Sequence, residues 1–291
     1  MTPKTFSRLL VAPTVALLLA VGVGPLLYAL WMSLHQVSLD PAVPTTFCGL
    51  ANLLDLLGDP RFRKAIWVTG LVMALAVTLE LALGFLLALC LHQVRRGRGL
   101  VLSLLLIPTA IAPLVAGIAW WMLFNTNYGA VNALLALAGV APVEWTRSMP
   151  WALVAIVVAV VWQWTPFVAV ILLGGLSTIP PSVLEAARID GAGAWQTLRR
   201  ITIPHLRPFF LVAGLLMILE VARLYEVPFY ITEGGPGDET WLAGIYLFKL
   251  AFNYSNFGGA SMMALLFVVA LGAISALYVR MVSGTKEGRL A

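Results

Sequence analysis

The chain has 291 residues, of which 61% are hydrophobic and 11% charged, with a formal net charge of +5. A soluble globular domain has about a quarter of its residues charged, so this composition excludes one and points to a bilayer. The basic excess does not call for nucleic acid, because no basic cluster is interleaved with exposed aromatics.

Six apolar runs, about 9–33, 66–91, 100–124, 151–175, 209–231 and 260–282, each reach the about 20 residues a bilayer-crossing helix needs. They predict an all-α, polytopic membrane protein with six transmembrane helices, one domain over residues 1–291 and no soluble domain of its own. The first run follows the basic start Met1 to Arg8 and exceeds the about 7–15 apolar residues of a signal peptide, so it reads as an uncleaved span. An external loop, His35 to Lys64, has turn signals at Asp40-Pro41 and Asp59-Pro60. The second run carries Glu80 near mid-depth. A lone carboxylate there is costly, its cheapest state is protonated or paired, and a buried hydrogen bond to a neighbouring helix is the expected compensation.

Pro108 and Pro113 should kink the third run, and Trp120 and Trp121 near its outer end look like interfacial anchors. The fourth contains Trp162-Gln-Trp-Thr-Pro-Phe167. Pro166 removes a backbone donor and frees a carbonyl near position 162, so a polar wall with Gln163 and Thr165 becomes possible. Trp162, Trp164 and Phe167 could stack on a ring, or face lipid or core. The fifth run holds Glu220, Arg223 and Glu226, and a flexible external turn, Thr232 to Gly237, follows it.

Between the fourth and fifth runs lies Glu185 to Pro204, EAARIDGAGAWQTLRRITIP, a long polar segment. Ser182 and Glu185 have capping-box spacing for a short helix. Gly191 and Gly193 should break it, and a second short helix, Ala194 to Arg200, should end at Pro204. A polar helix–turn–helix on a membrane face suits docking of something soluble. The alternative is that Glu185 only caps its helix and the arginines only set topology.

With six spans, Lys4, Arg8, Arg95, Arg96, Arg98, Arg188, Arg199, Arg200, Arg207, Arg280, Lys286 and Arg289 share one side, against Arg61, Arg63, Lys64, Arg147 and Lys249 on the other. The richer side is expected to be cytoplasmic, with both termini and the polar loop on it. Cys48 and Cys90 fall on opposite sides and should not pair. His35, His92 and His205 share no motif, no metal-ligand cluster is spelled out, and no phosphate-binding Gly-rich loop followed by Lys-Ser/Thr occurs. No catalytic or metal site is therefore expected.

Glu185-Ala186-Ala187, three residues, Gly191, nine residues, Ile201, one residue and Ile203-Pro204 resemble the EAA loop of ABC importer membrane subunits, with Ile203 where leucine is usual. Phe47 to Asn52, Asp59 to Phe62, Gly234-Gly-Pro236, Tyr246 to Phe252 and Asn256-Phe-Gly258 are similar to segments of carbohydrate-type permeases. The resemblance implies a type I ABC importer transmembrane domain, a permease in the inner membrane and not an enzyme. Its implied substrate is a sugar, oligosaccharide, polyol or sugar-phosphate-like ester. The implied partners are a second homologous permease, two copies of a cytoplasmic ABC ATPase that binds ATP and magnesium, an extracytoplasmic solute-binding protein or lipoprotein, and membrane lipids. This chain itself would hold no cofactor. Residues 182–204 would form the coupling loop, with Glu185, Ala186, Ala187, Asp190 and Gly191 meeting the ATPase. Met217, Glu220, Val221 and Leu224 share one helical stripe. The resemblance places that stripe, with Gln163, Trp164 and Phe167, on the solute pathway. An ion pair between Glu220 and Arg223, with Glu226 nearby, is the competing account of the same charges. An ion-coupled secondary transporter is the alternative function, although no internal repeat supports it.

Overall fold

The computed structural model describes residues 3–38, 42–94 and 96–287. Asp40-Pro41, Arg95 and Arg289 lie outside the described residues. Among those described, five helices are long and apolar enough to cross a membrane: Val11–Ser33, Pro60–Gln93, Trp151–Leu176, Ala194–Ala222 and Phe257–Arg280. The third run is divided into α4 (Arg98–Leu105), α5 (Ile107–Ala110) and α6 (Pro113–Leu123). Proline explains the division. Pro113 starts α6, and Ile111 and Ala112 before it are extended, as a following proline ring demands.

The chain divides into two compact units, residues 1–63 with 246–274 and residues 64–245 with 275–291. In the first, α1 (Pro3–Ser33) carries an apolar window that is wholly exposed. A two-residue antiparallel ladder follows, β1 (His35–Gln36) on β2 (Thr46–Phe47), and then α2 (Ala51–Gly58). Asn52 of α2 is buried and donates to the carbonyls of Ser33 and His35 at 2.8 and 3.0 Å, tying the loop to the end of α1. The next helix, α3 (Pro60–Gln93), begins before the predicted 66, with Asp59 accepting from the Arg61 backbone at 2.8 Å. Tyr246 of α13 (Ala243–Phe248) donates to the other Asp59 oxygen at 2.8 Å. Burial, and then that bond, push its phenol above the ordinary tyrosine range.

The second unit centres on α3, α8 (Trp151–Leu176) and α11 (Ile203–Ala222), whose valines, leucines and alanines form one apolar cluster. Small residues set the spacing, as they do where helices pack without water. A Cβ on Gly175 of α8 would stand 2.6 Å from Leu206 and Phe209 of α11, so only glycine admits this approach. Glu80 lies four residues from Ala76 and three from Val77 on the stripe that α3 buries. It is fully buried, and among the described residues neither carboxylate oxygen has a hydrogen-bond partner. The expected bond to a neighbouring helix is not made among the described residues.

The polar segment departs from expectation in two respects. Its first helix, α9 (Pro181–Ile189), starts at Pro181 with Pro180 as the cap residue and no side-chain cap, so the Ser182–Glu185 capping box does not form. Proline's preset φ fits the first helical position and places the start two residues earlier than a Ser182 cap needs. Its second helix, α10 (Ala194–Thr197), does not end at Pro204. A π-helical turn, Leu198–Thr202, carries it into α11. Such a wide turn accommodates Pro204, which lacks an N–H and would crowd the carbonyl four residues before it.

The fifth predicted span is shifted as well. Continuous helix runs from Ala194 to Ala222, and α12 (Glu226–Thr232) resumes after a break at Arg223 to Tyr225. Pro228 cannot donate to Leu224, the carbonyl a continuous helix would offer it, which accounts for the interruption there. The turn beyond α12, expected to be flexible, is hydrogen-bonded. Thr240 donates to Gly235 O at 2.7 Å and meets Thr232 at 2.8 Å, and Lys64 pairs with Asp238 and Glu239 at 2.6 and 2.7 Å. The chain ends in α14 (Phe257–Glu287).

Candidate functional site

Two helix interruptions meet the continuous helix α8 at one polar cavity: the extended joint before α6 and the gap between α11 and α12. The cavity, about 270 Å³, is lined by Pro113, Gln163, Trp164, Glu220, Arg223, Leu224 and Glu226. Irregular backbone at membrane depth is tolerated where it is buried or lines a cavity, and both conditions occur here.

Gln163 is 1% exposed and donates from Nε2 to the Ile111 carbonyl at 3.0 Å. Ile111 lies in the extended joint, so its carbonyl has no helical acceptor role, and the glutamine amide satisfies it. Thr109 reciprocates by donating to the Gln163 carbonyl at 3.0 Å. Thr165 is buried with no partner for its hydroxyl among the described residues. Trp164 is half-buried and meets Phe167 edge-on at 6.2 Å.

Glu220 and Arg223 form an ion pair, with the Arg223 Nε at 3.1 Å and a second bond from Nη2. The glutamate side chain is 19% exposed and the arginine 72%. Glu226 is exposed and is the first residue of α12. Two carboxylates and one guanidinium thus give the wall hydrogen-bond acceptors, a donor fork and a net negative charge, beside an indole face.

Of the residues predicted for the pathway, Gln163, Trp164, Glu220 and Leu224 line the cavity. Met217 and Val221 do not. They are 2% and 1% exposed and sit in the apolar cluster, because α11 packs that edge of its stripe against the core. Phe167 is half-buried and packs on the same cluster. Pro113, Arg223 and Glu226 complete the lining, brought in by helix breaks that a stripe drawn on continuous helix does not contain.

In the polar loop, Glu185, Ala186, Asp190 and Gly191 are exposed, whereas Ala187 is 7% exposed and faces its own chain. The α9 terminus explains the glycine. Gly191 has φ +77°, its N–H reaches Arg188 O at 3.1 Å, and the Ala192 N–H reaches Ala187 O at 2.9 Å. That bond pair is the Schellman cap, which favours glycine at its left-handed position. Ile189 and Trp195, 86% and 69% exposed, are apolar residues of this face that the motif did not single out. For Ile189 the signal was a large apolar side chain between Arg188 and Asp190, and for Trp195 an indole in a polar loop.

Two proteins align along almost the whole chain. The trehalose/maltose transport system permease protein MalF of Thermococcus litoralis is 36% identical over 90% of this chain and 89% of its own length. The trehalose transport system permease protein SugA of Mycobacterium tuberculosis is 33% identical over 99% and 92%. The fold matches a chain in a crystal structure of a bacterial ABC transporter involved in the import of the acidic polysaccharide alginate, with a TM-score of 0.80, 20% identity and 96% of each chain covered. Residues 80–285 match the model of the family described as binding-protein-dependent transport system inner membrane component. The chain belongs to that family, as a multi-pass, all-α permease of the inner membrane.

Proposed function

We propose that this chain is one of two permease subunits of an ATP-driven importer and forms half of the pathway for a sugar, oligosaccharide or polyol. The observation that carries this reading is the cavity of Glu220, Arg223, Glu226, Gln163 and Trp164, where two helix breaks meet α8. Carboxylates accept from hydroxyls, a guanidinium donates to them, and an indole covers an apolar sugar face. Broken helices at a central site are a recurring device of membrane transporters. The trehalose permeases to which the chain is similar make a disaccharide the first solute to test.

The remaining parts of the machine lie outside this chain. A second permease closes the other side of the cavity, a binding protein delivers solute, and two ATPase copies supply the energy with ATP and magnesium. Residues 182–204 are cytoplasmic, as are both termini, and α9 docks on the ATPase through Glu185, Ala186 and Asp190, with Ile189 and Trp195 as apolar anchors. The test is uptake of labelled trehalose by the assembled complex in proteoliposomes. ATP-dependent uptake that Glu220→Ala lowers roughly ten- to a hundredfold while binding-protein-stimulated ATPase activity persists is expected. Uptake by the chain alone under an ion gradient would overturn the reading.

A further inference from the structure

The loop between α6 and α8 contains a helix, α7 (Ala130–Leu137), that does not cross the membrane. No charged residue occurs between Asn127 and Glu144. Its inward side is pinned by the buried Asn132, which donates to Val143 O at 2.9 Å and accepts from the Trp145 indole at 2.9 Å and the Val143 N–H at 3.1 Å. Its outward side is apolar and uncovered. Leu137 is 87% exposed, Leu134 68%, Tyr128 64% and Val140 47%.

The surroundings indicate what covers that side. Trp145 packs between Phe124, at the end of α6, and Trp151, at the start of α8, tilted on the first and edge-on to the second, with centroids 5.3 and 5.1 Å away. Tryptophans concentrate where a bilayer meets water. Large apolar residues are also exposed near the ends of α6 and α8 that this loop joins: Trp121 and Met122, and Trp151 and Val154. An interface with a reversibly bound protein is about as polar as ordinary surface, with a charged or polar rim. A face with no charge at all fits a bilayer better.

We infer that α7 is an interfacial helix, with Leu134, Leu137 and Val140 seated in the lipid of the leaflet that α6 and α8 reach at Phe124 and Trp151. Its burial should be shallow, about 5–10 Å into the headgroup–acyl boundary. Asn132 then has a defined role. It holds the loop so that the leucines point into lipid while the backbone of Val143 stays bonded.

The experiment is spin labelling of single cysteines at 134, 137 and 147 in a chain carrying Cys48→Ala and Cys90→Ala, co-purified with its partner subunits and placed in phosphatidylglycerol–phosphatidylcholine nanodiscs. Leu134→Cys and Leu137→Cys labels should collide several-fold more with oxygen than with a water-soluble nickel chelate, and Arg147→Cys should show the reverse. Quenching of a bimane at position 137 by lipids brominated near the headgroup gives a second, independent reading. Nickel preference at both leucine positions would overturn the inference. So would oxygen preference absent in nanodiscs and protection appearing only when a solute-binding protein is added, which would make the face a protein dock.

Discussion

Glu220 and Arg223 decide between a structural pair and a working site. Their pair is largely solvent-facing on the arginine side, and such pairs stabilise by about 0–1 kcal/mol. Losing it should therefore spare the fold, while losing a charge-assisted bond to solute costs about 1.5–3 kcal/mol, roughly ten- to a hundredfold in affinity. Glu220→Ala is expected to lower uptake by that factor with normal assembly on size-exclusion chromatography, and Arg223→Ala to do less. If both variants instead lose assembly, the charges are structural. The two carboxylates and the arginine were legible as residues in an apolar run. So was part of their company, Gln163, Trp164 and Leu224, whereas Pro113 and Glu226 reach the cavity only through the joint before α6 and the end of helical geometry at Arg223.

Helix ends and joints carry the site, and each rests on a nameable residue. Gly191 closes α9 in a conformation that costs an L-residue about 1–2 kcal/mol. Gly191→Val should leave the subunit inserted while uncoupling ATP hydrolysis from uptake, measured as ATPase turnover per solute moved; a normal ratio at normal expression would count against the coupling reading. Gly175→Val pushes a side chain into Leu206 and Phe209, an overpacking that costs about 1–3 kcal/mol. It should lower the Tm of the purified complex, and an unchanged Tm would mean that α8 and α11 separate without strain. Prolines made the kink of the third run readable from sequence. The continuity through Pro204 was not readable, since a π-helical turn leaves no mark in hydropathy or in residue type.

For the whole molecule, hydropathy located the membrane segments because bilayer thickness and helical rise set their length. It missed where the fifth helix begins, since the polar residues of α10 continue an apolar helix without a break in backbone. The arrangement of basic residues predicts that a probe at Gly235→Cys is labelled from outside the cell and one at Gly193→Cys is not. The reverse pattern would invert the molecule and take the coupling loop away from any ATPase. One bond in the cavity wall has a consequence for motion. A helical carbonyl gives up its partner only when a turn unwinds, but Ile111 is held by the Gln163 amide, which rotation of one side chain can release. A hydroxyl-rich guest competes for that amide, so occupancy of the cavity and the stiffness of the elbow before α6 trade against each other. Gln163→Leu, which strands the carbonyl at a cost of about 1–3 kcal/mol, should imitate a permanently loosened elbow as faster hydrogen exchange around Ala116 with no solute present.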